Sequence, residues 1–336
     1  MVWCKLGTIR KIQRTPSGTF FVCIPKDWAE RYGLKRGSVV AVNETSDGKL
    51  LIDPEYGAAP SPRTIILKPG PYLSREIIGK YLLGFDIIRV EGKEPINFEV
   101  RESVKKTASR LVGLEIVEED YSKIVLQCLL EPSSFPPEKI LRRGYSIVAG
   151  MHRDVVNALI DGDLSMAKSV IARDEEVNRL YFLLVRILRT IIQNPSLSEK
   201  LGVQPIECLD YRLAASLVET IGDECVRTAF KVAELKGAKL DETLKKLIVE
   251  FHSLCFEAHE NALKAFFAGD AGLAEDVRNM REKIEKALAA IEKNAKAQSL
   301  EIMPHLLAAI STLHQIYEHS VDIADLAMPK KLQTGR

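Results

Sequence analysis

Two carboxylates four residues apart, Glu219 and Asp223, have the most obvious capacity for chemistry in this chain. On a helix, residues at this spacing lie one above the other, so two like charges share one strip of surface. Gly222 between them costs a helix roughly 1 kcal/mol against alanine, which indicates that something approaches the backbone closely. The pair therefore indicates either an ordinary solvated face or a site for a cation.

A variant of this segment returns near the C-terminus, where His314 and Glu318 take the positions of Glu219 and Asp223. Further upstream, the sequence around Asp163 matches the sequence around Asp270 at a constant offset. The C-terminal half is therefore predicted to be a duplication, with copies at about 138–237 and 240–328. Each copy should form three helices, and the two aspartates, each after a glycine turn, should cap the second helix.

The helix around residue 219 should bury one stripe of side chains spaced three or four residues apart. Its members are Leu213, Leu217, Ile221, Cys225 and Thr228. Glu219 and Asp223 lie beside this stripe, which places them at the surface or in a groove between helices. There a hard or borderline cation could bridge the two carboxylates.

Composition describes an ordinary multidomain protein of 336 residues, 46% hydrophobic and 28% charged, long enough for two or three domains. No apolar run approaches the roughly 18 residues of a membrane span, and the first residues do not form a signal peptide, so we expect a cytoplasmic protein without membrane insertion. The six cysteines are scattered singly and should be free thiols in apolar positions.

The first fifty residues alternate in short runs that predict strand, strand, short helix, strand and strand. So short a segment cannot bury much core alone, which favours a dimer that completes the sheet. Among residues 1–40, eight Lys or Arg stand against Asp27 and Glu30, and this excess suggests a polyanionic partner.

Residues 57–135 are predicted to be a linker followed by a small α+β module. Strands are expected at 64–68, 85–90, 113–117 and 123–129, helices at 73–83 and 98–111, and an acidic hairpin turn at 118–120. The module has no phosphate loop, catalytic triad or metal-ligand spacing. It is either a spacer or a ligand-sensing unit.

The segment Glu-Thr-Ile-Gly-Asp-Glu-Cys-Val that begins at Glu219, with its echo in the second copy, resembles the PhoU phosphate-uptake regulators over residues 138–328. That resemblance implies two three-helix bundles, metal clusters on the bundle surface, and regulation through contacts with phosphate transporter components. The first site would hold a divalent or iron-type ion with Asp174, Asn178, Glu219 and Asp223.

The second copy departs from that pattern, because Arg281 stands for the acid of its second helix and Tyr317 for the glycine. A metal there would have Glu285, His314 and Glu318 as its remaining ligands. His314 is either a nitrogen ligand or a solvated, hydrogen-bonded histidine.

Near the N-terminus, Ile24-Pro25-Lys26 opens the short helix and Gly33-Leu34-Lys35-x-Gly37 follows it, and this string resembles the AbrB/SpoVT/MazE swapped-hairpin domain. The resemblance implies a dimeric β-barrel that contacts DNA through basic residues. The matching positions are Arg10, Lys11, Arg14, Lys26 and Arg31. Alternatively these charges only solvate the barrel, or the domain binds a partner protein.

The sequence as a whole therefore predicts an AbrB-like domain at 1–56, the linker and module at 57–135, and a PhoU-like helical domain at 136–330. The expected function is a phosphate-responsive transcriptional regulator that binds DNA as a dimer. The alternative is an adaptor that regulates a phosphate transporter by protein contacts without DNA. An enzyme is not expected, since the six histidines are mostly unpaired with the acidic motif.

Overall fold

The computed structural model describes residues 9–44, 48–54, 62–235, 240–299 and 301–327. The chain divides into two compact units, residues 1–62 and 63–336. In the described part, no helix is long and apolar enough to cross a membrane.

The first unit has the predicted order of elements. These are β1 (Gln13–Arg14), β2 (Phe20–Phe21), α1 (Lys26–Arg31), β3 (Ala41–Glu44) and β4 (Leu50–Asp53). They pair as two separate antiparallel ladders, β1 with β2 and β3 with β4. The described residues form no closed barrel, so the swapped-hairpin barrel stays a prediction. Residues 45–47, between β3 and β4, and most of the linker lie outside the described residues.

None of the described residues of 9–54 is buried. Large apolar side chains instead face solvent, among them Ile9, Ile12, Phe20, Val39 and Leu50. Cys23, predicted to be in an apolar position, is also exposed, whereas Cys128, Cys208, Cys225 and Cys255 are buried as free thiols. The described residues of the first unit thus have apolar surface but form no core of their own.

The second unit begins with the α+β module. It consists of β5 (Thr64–Leu67), α2 (Leu73–Leu82), β6 (Ile87–Glu91), α3 (Phe98–Ser109), β7 (Leu114–Glu119) and β8 (Lys123–Cys128). The strand order is β5-β6-β8-β7, with β5 and β6 parallel and the other pairs antiparallel.

The predicted acidic turn at 118–120 is wrong in part, because Glu118 and Glu119 lie within β7. The hairpin closes between Asp120 and Lys123, whose backbone N–H and carbonyl oxygen are 2.9 Å apart. A bulge between Ile116 and Glu118 adds the residue that carries the strand further than predicted.

After a 3-10 turn (Pro132–Ser134) comes the helical bundle. Its first copy has α4 (Pro137–Asp161), α5 (Leu164–Gln193), α6 (Pro195–Leu201) and α7 (Glu207–Glu234). The second has α8 (Glu242–Ala268), α9 (Ala271–Asn279), α10 (Arg281–Ala295) and α11 (Met303–Ala324). Asp163 caps α5 and Asp270 caps α9, as predicted.

The prediction of three helices per copy is therefore wrong, because the described part of each copy has four. The first copy inserts the short α6 in a connection, where Asn194 caps it and Pro195 occupies its first turn. In the second copy the second helix is divided at Met280, so one long helix becomes α9 and α10.

The predicted stripe on α7 is correct in its second half and wrong at its start. Ile221, Cys225 and Thr228 are buried, but Leu213 is 52% exposed. The buried line instead passes through Ala214, one residue further along, because a helix turns by about 100° per residue and neighbouring positions face different ways.

Arg186 of α5 joins the α+β module to the bundle and is only 3% exposed. Its Nη1 donates to the carbonyl oxygens of Tyr81, at 2.7 Å, and Phe85, at 2.9 Å. Its Nη2 donates to Asp86 Oδ1 at 3.2 Å, and the guanidinium lies over the Tyr81 ring. The end of α2 and the start of β6 are thereby tied to the middle of α5.

Candidate metal site and its diverged copy

The four residues of the predicted first site come from two packed helices, Asp174 and Asn178 from α5 and Glu219 and Asp223 from α7. All four are half-buried. The Asn178 amide donates to Asp174 Oδ2 at 2.8 Å. Asp174 Oδ1 is buried and has no hydrogen-bond partner among the described residues, which leaves an acceptor free for another ligand.

The three carboxylates of this site lie close enough to influence one another electrostatically. Burial, then the neighbouring Asp223, raises the pKa of Asp174. Burial likewise raises the pKa of Glu219, with Asp223 and Asp174 contributing. Asp223 therefore makes ionisation of Asp174 and Glu219 less favourable, and a cation between these side chains would relieve that repulsion.

The donor set fits a hard cation, since it offers carboxylate and amide oxygens. As oriented, however, no three His, Cys, Asp or Glu side chains within the described ranges converge closely enough to hold a metal ion. Binding of a metal here would therefore require these side chains to rearrange.

Gly222 faces the helices packed against α7 and not a ligand. A Cβ built there would lie 3.5 Å from Val148, 3.7 Å from Val177 and 3.9 Å from Met151. These are ordinary van der Waals distances. The close approach expected from the sequence comes from α4 and α5, and it does not by itself demand a glycine.

In the second copy an arginine occupies the place between the acids. Arg281 donates Nη1 to Glu318 Oε1 and Nη2 to Glu318 Oε2, both at 2.8 Å, which is a bidentate ion pair. Glu285 lies 3.9 Å from the same guanidinium, and His314 Nε2 is 3.7 Å from Glu318 Oε1. In this copy the guanidinium of Arg281 supplies the positive charge that balances the acidic side chains.

Tyr317, which replaces the glycine of the first copy, accompanies the break in the second helix. Its hydroxyl lies 3.3 Å from the carbonyl oxygens of Val277 and Arg278, at the end of α9. Carbonyls at a helix end lack partners within the helix. The tyrosine supplies a donor to them, so the two copies differ in backbone as well as in charge.

The five basic residues predicted to contact DNA are all exposed in the first unit: Arg10, Lys11, Arg14, Lys26 and Arg31. Lys26 lies 3.5 Å from Glu30, and the Arg14 guanidinium lies over the Phe20 ring. Their exposure is compatible with binding a polyanion and equally with solvating the surface.

Sequence reasoning missed a cluster of three histidines between α4 and α8. The ring centroid of His152 is 4.8 Å from that of His252 and 5.8 Å from that of His259. His152 and His259 are fully buried, and their ring nitrogens have no hydrogen-bond partner among the described residues. His252 and His259 are seven residues apart on α8, a spacing that could have indicated a shared face.

Two copies of a helical unit, each with a charged cluster between its second and third helices, define a duplicated helical-bundle protein. The PhoU domain family matches residues 141–232 and 248–327, just over half of the chain. The chain belongs to this family, as its sequence resemblance implied.

Two solved structures show how the bundle compares. PhoU from Pseudomonas aeruginosa has 21% sequence identity and a TM-score of 0.51, over 57% of this chain and 93% of that one. The phosphate transport system regulatory protein PhoU from Streptococcus pneumoniae has 20% identity and a TM-score of 0.48, over 57% of this chain and 91% of that one. The first likeness supports the fold of the bundle. No protein with a curated description matches the chain.

Proposed function

We propose that this protein regulates phosphate transport through protein contacts made by its helical bundle. Membership of the PhoU domain family, with both repeats matched, carries the link to phosphate. The alternative expected from the sequence, an adaptor that acts on a transporter, is therefore preferred to direct control of transcription.

The surface that supports protein contact lies at the start of α7. Ile206, Leu209 and Leu213 are 69%, 56% and 52% exposed, and their spacing of three and four residues puts them on one face. We call these three residues the α7 apolar line. Apolar side chains gathered on one exposed face are typical of a protein interaction site.

The test measures uptake of radiolabelled phosphate at high and low external phosphate in cells of the source organism that lack the gene. Restoring the wild-type gene should restore repression of uptake at high phosphate, whereas Leu209→Ser/Leu213→Ser should not. Val249→Ser, an exposed apolar residue of α8, is the matched control and should behave as wild type. Full repression by the α7 variant would refute docking at this surface.

A second candidate function is DNA binding by the first unit. Its exposed apolar residues and the absence of any buried residue among those described support a homodimer that completes the swapped-hairpin barrel. The exposed arginines then supply planar groups suited to phosphate and guanine. In selection from a random DNA pool, specific binding that falls with salt and is lost in Arg10→Ala/Arg14→Ala would establish this function. No enriched sequence would leave the domain as a dimerisation or partner-binding unit.

We further propose that the first site binds a divalent or iron-type ion, supported by the coupled carboxylates and the unpartnered Asp174 Oδ1. Asp223→Ala should then remove more bound metal than Glu318→Ala, because Arg281 already neutralises the second site. Metal per chain after dialysis against manganese, zinc or iron measures this, and equal losses in both variants would contradict it. The proposal involves no catalysis, so we expect no hydrolysis of a phosphate ester that is lost in Asp223→Ala.

A further inference from the structure

A pocket of about 420 Å³ lies where the α+β module meets the helical bundle. Phe135, Ile140 and Leu180 form part of an apolar wall, and Val112 of the module borders it. We call this the junction pocket. Its volume is in the range of about 300–1,000 Å³ that small-molecule sites occupy, and it is much larger than an inorganic anion needs.

The polar groups of the junction pocket carry net positive charge. Lys139 and Arg143 of α4 and Arg179 of α5 line it, against the single acid Glu176. Arg143 Nη2 pairs with Glu176 Oε1 at 2.7 Å, so these two charges offset each other. Within the described residues, Lys139 and Arg179 form no ion pair. The junction pocket therefore has two positive charges beside its apolar wall that no described acidic side chain pairs with.

The beginning of α4 adds to this charge. Pro136, which lines the pocket, is the residue before the helix, and no side chain caps this helix end. The N-terminus of a helix carries partial positive charge and favours anions, phosphate groups in particular. Two unpaired cations and the start of a 25-residue helix thus favour the same kind of ligand.

We propose that the junction pocket binds a small organic phosphate, a phosphate monoester joined to an apolar or aromatic body. The two unpaired cations match the dianion, and the apolar wall with Phe135 matches the body. A nucleoside monophosphate has this composition. The residues that line the junction pocket include no member of the α7 apolar line and none of the four residues of the first metal site, so the inference goes beyond the proposed regulation by protein contact.

The test uses the full-length protein and the fluorescence of 8-anilinonaphthalene-1-sulfonate, an aromatic body with one anionic group. The probe should bind saturably, and Lys139→Gln/Arg179→Gln should weaken binding at least tenfold. Lys168→Gln/Arg189→Gln, which removes two exposed charges elsewhere on α5, is the control with the same net charge and should change binding less than twofold. Both pairs lie at the surface, and circular dichroism confirms that the helices are retained.

Competition then identifies the ligand class. Adenosine 5′-monophosphate should displace the probe, whereas adenosine and inorganic phosphate at the same concentration should not. Equal probe binding in the two double variants would overturn the proposal. So would displacement by adenosine alone, which would remove the role of the anion, or displacement by inorganic phosphate alone, which would remove the role of the apolar body.

Discussion

Acidification should destabilise the bundle through the three histidines between α4 and α8. Burial holds the pKa of His152 well below its usual value, with His252, His259 and Arg153 contributing. Burial and then Arg153 lower the pKa of His252 to about 4, and burial lowers that of His259 to about 3. Phe256 and Tyr145 make ring contacts with these histidines. His252 and His259 therefore remain neutral in the folded protein at pH 5.5.

The magnitude follows from proton linkage. In the unfolded chain each histidine titrates near 6.5, so it is about one tenth protonated at pH 7.5 and about nine tenths at pH 5.5. Because the folded pKa is depressed, the stabilising contribution is present above pH 6.5 and is lost as the pH falls. His252 and His259 then each cost about 1.4 kcal/mol between pH 7.5 and 5.5, and the two together about 3 kcal/mol.

The assay is urea unfolding of the full chain, followed by far-ultraviolet circular dichroism at pH 7.5, 6.5 and 5.5. His259→Phe should remove one proton uptake, so its free energy of unfolding should rise by about 1.4 kcal/mol relative to wild type as the pH falls from 7.5 to 5.5.

The decisive quantity is the difference in pH dependence between His259→Phe and wild type, which cancels every group that the two proteins share. A difference near zero would show that His259 takes up a proton in the folded bundle as readily as in the unfolded chain. Neutral, unpartnered burial would then be the wrong description of the cluster.

Three further predictions concern single residues. Arg186→Met should lower the free energy of unfolding by about 2–5 kcal/mol, because the carbonyl oxygens of Tyr81 and Phe85 lose their donor. The control Arg189→Met removes an exposed arginine and should change the free energy of unfolding by less than about 0.5 kcal/mol. Equal urea midpoints for the two variants would contradict this prediction. Gly144→Ala should stabilise α4 by about 0.5–1 kcal/mol, since no atom lies within 4 Å of the added Cβ, and a lower Tm would be inconsistent with that space. Arg281→Asp should free Glu318 and raise the metal bound per chain in equilibrium dialysis; an unchanged metal content would show that the arginine does not exclude a cation.

The bundle was predictable because its signals are local and repeated. Asp163 and Asp270 each follow a glycine, and the structure confirms them as caps whose side chains accept backbone hydrogen bonds. The opposition of Asp174 to Glu219 followed once the family pattern had placed them on adjacent helices. Residue type and short spacing were sufficient for these features.

Features that depend on distant partners were not predictable in the same way. His152 and His259 are more than a hundred positions apart, and only the packing of α4 on α8 brings them together. The exposure of Leu213 depends on which neighbours cover α7, which periodicity does not specify. The barrel predicted for the first unit requires a second copy of the chain, so it stays a prediction.

The length of α5 has a mechanical consequence. This single 30-residue helix carries Asp174 of the predicted first metal site, Arg179 of the junction pocket and Arg186, which contacts the α+β module. At about 1.5 Å per residue the three positions span only about 18 Å along one rod. We expect a shift or rotation of this helix at one of the three positions to move the other two. In the second copy the division at Met280 interrupts the equivalent helix, so the described part of that copy has no single long helix in this place.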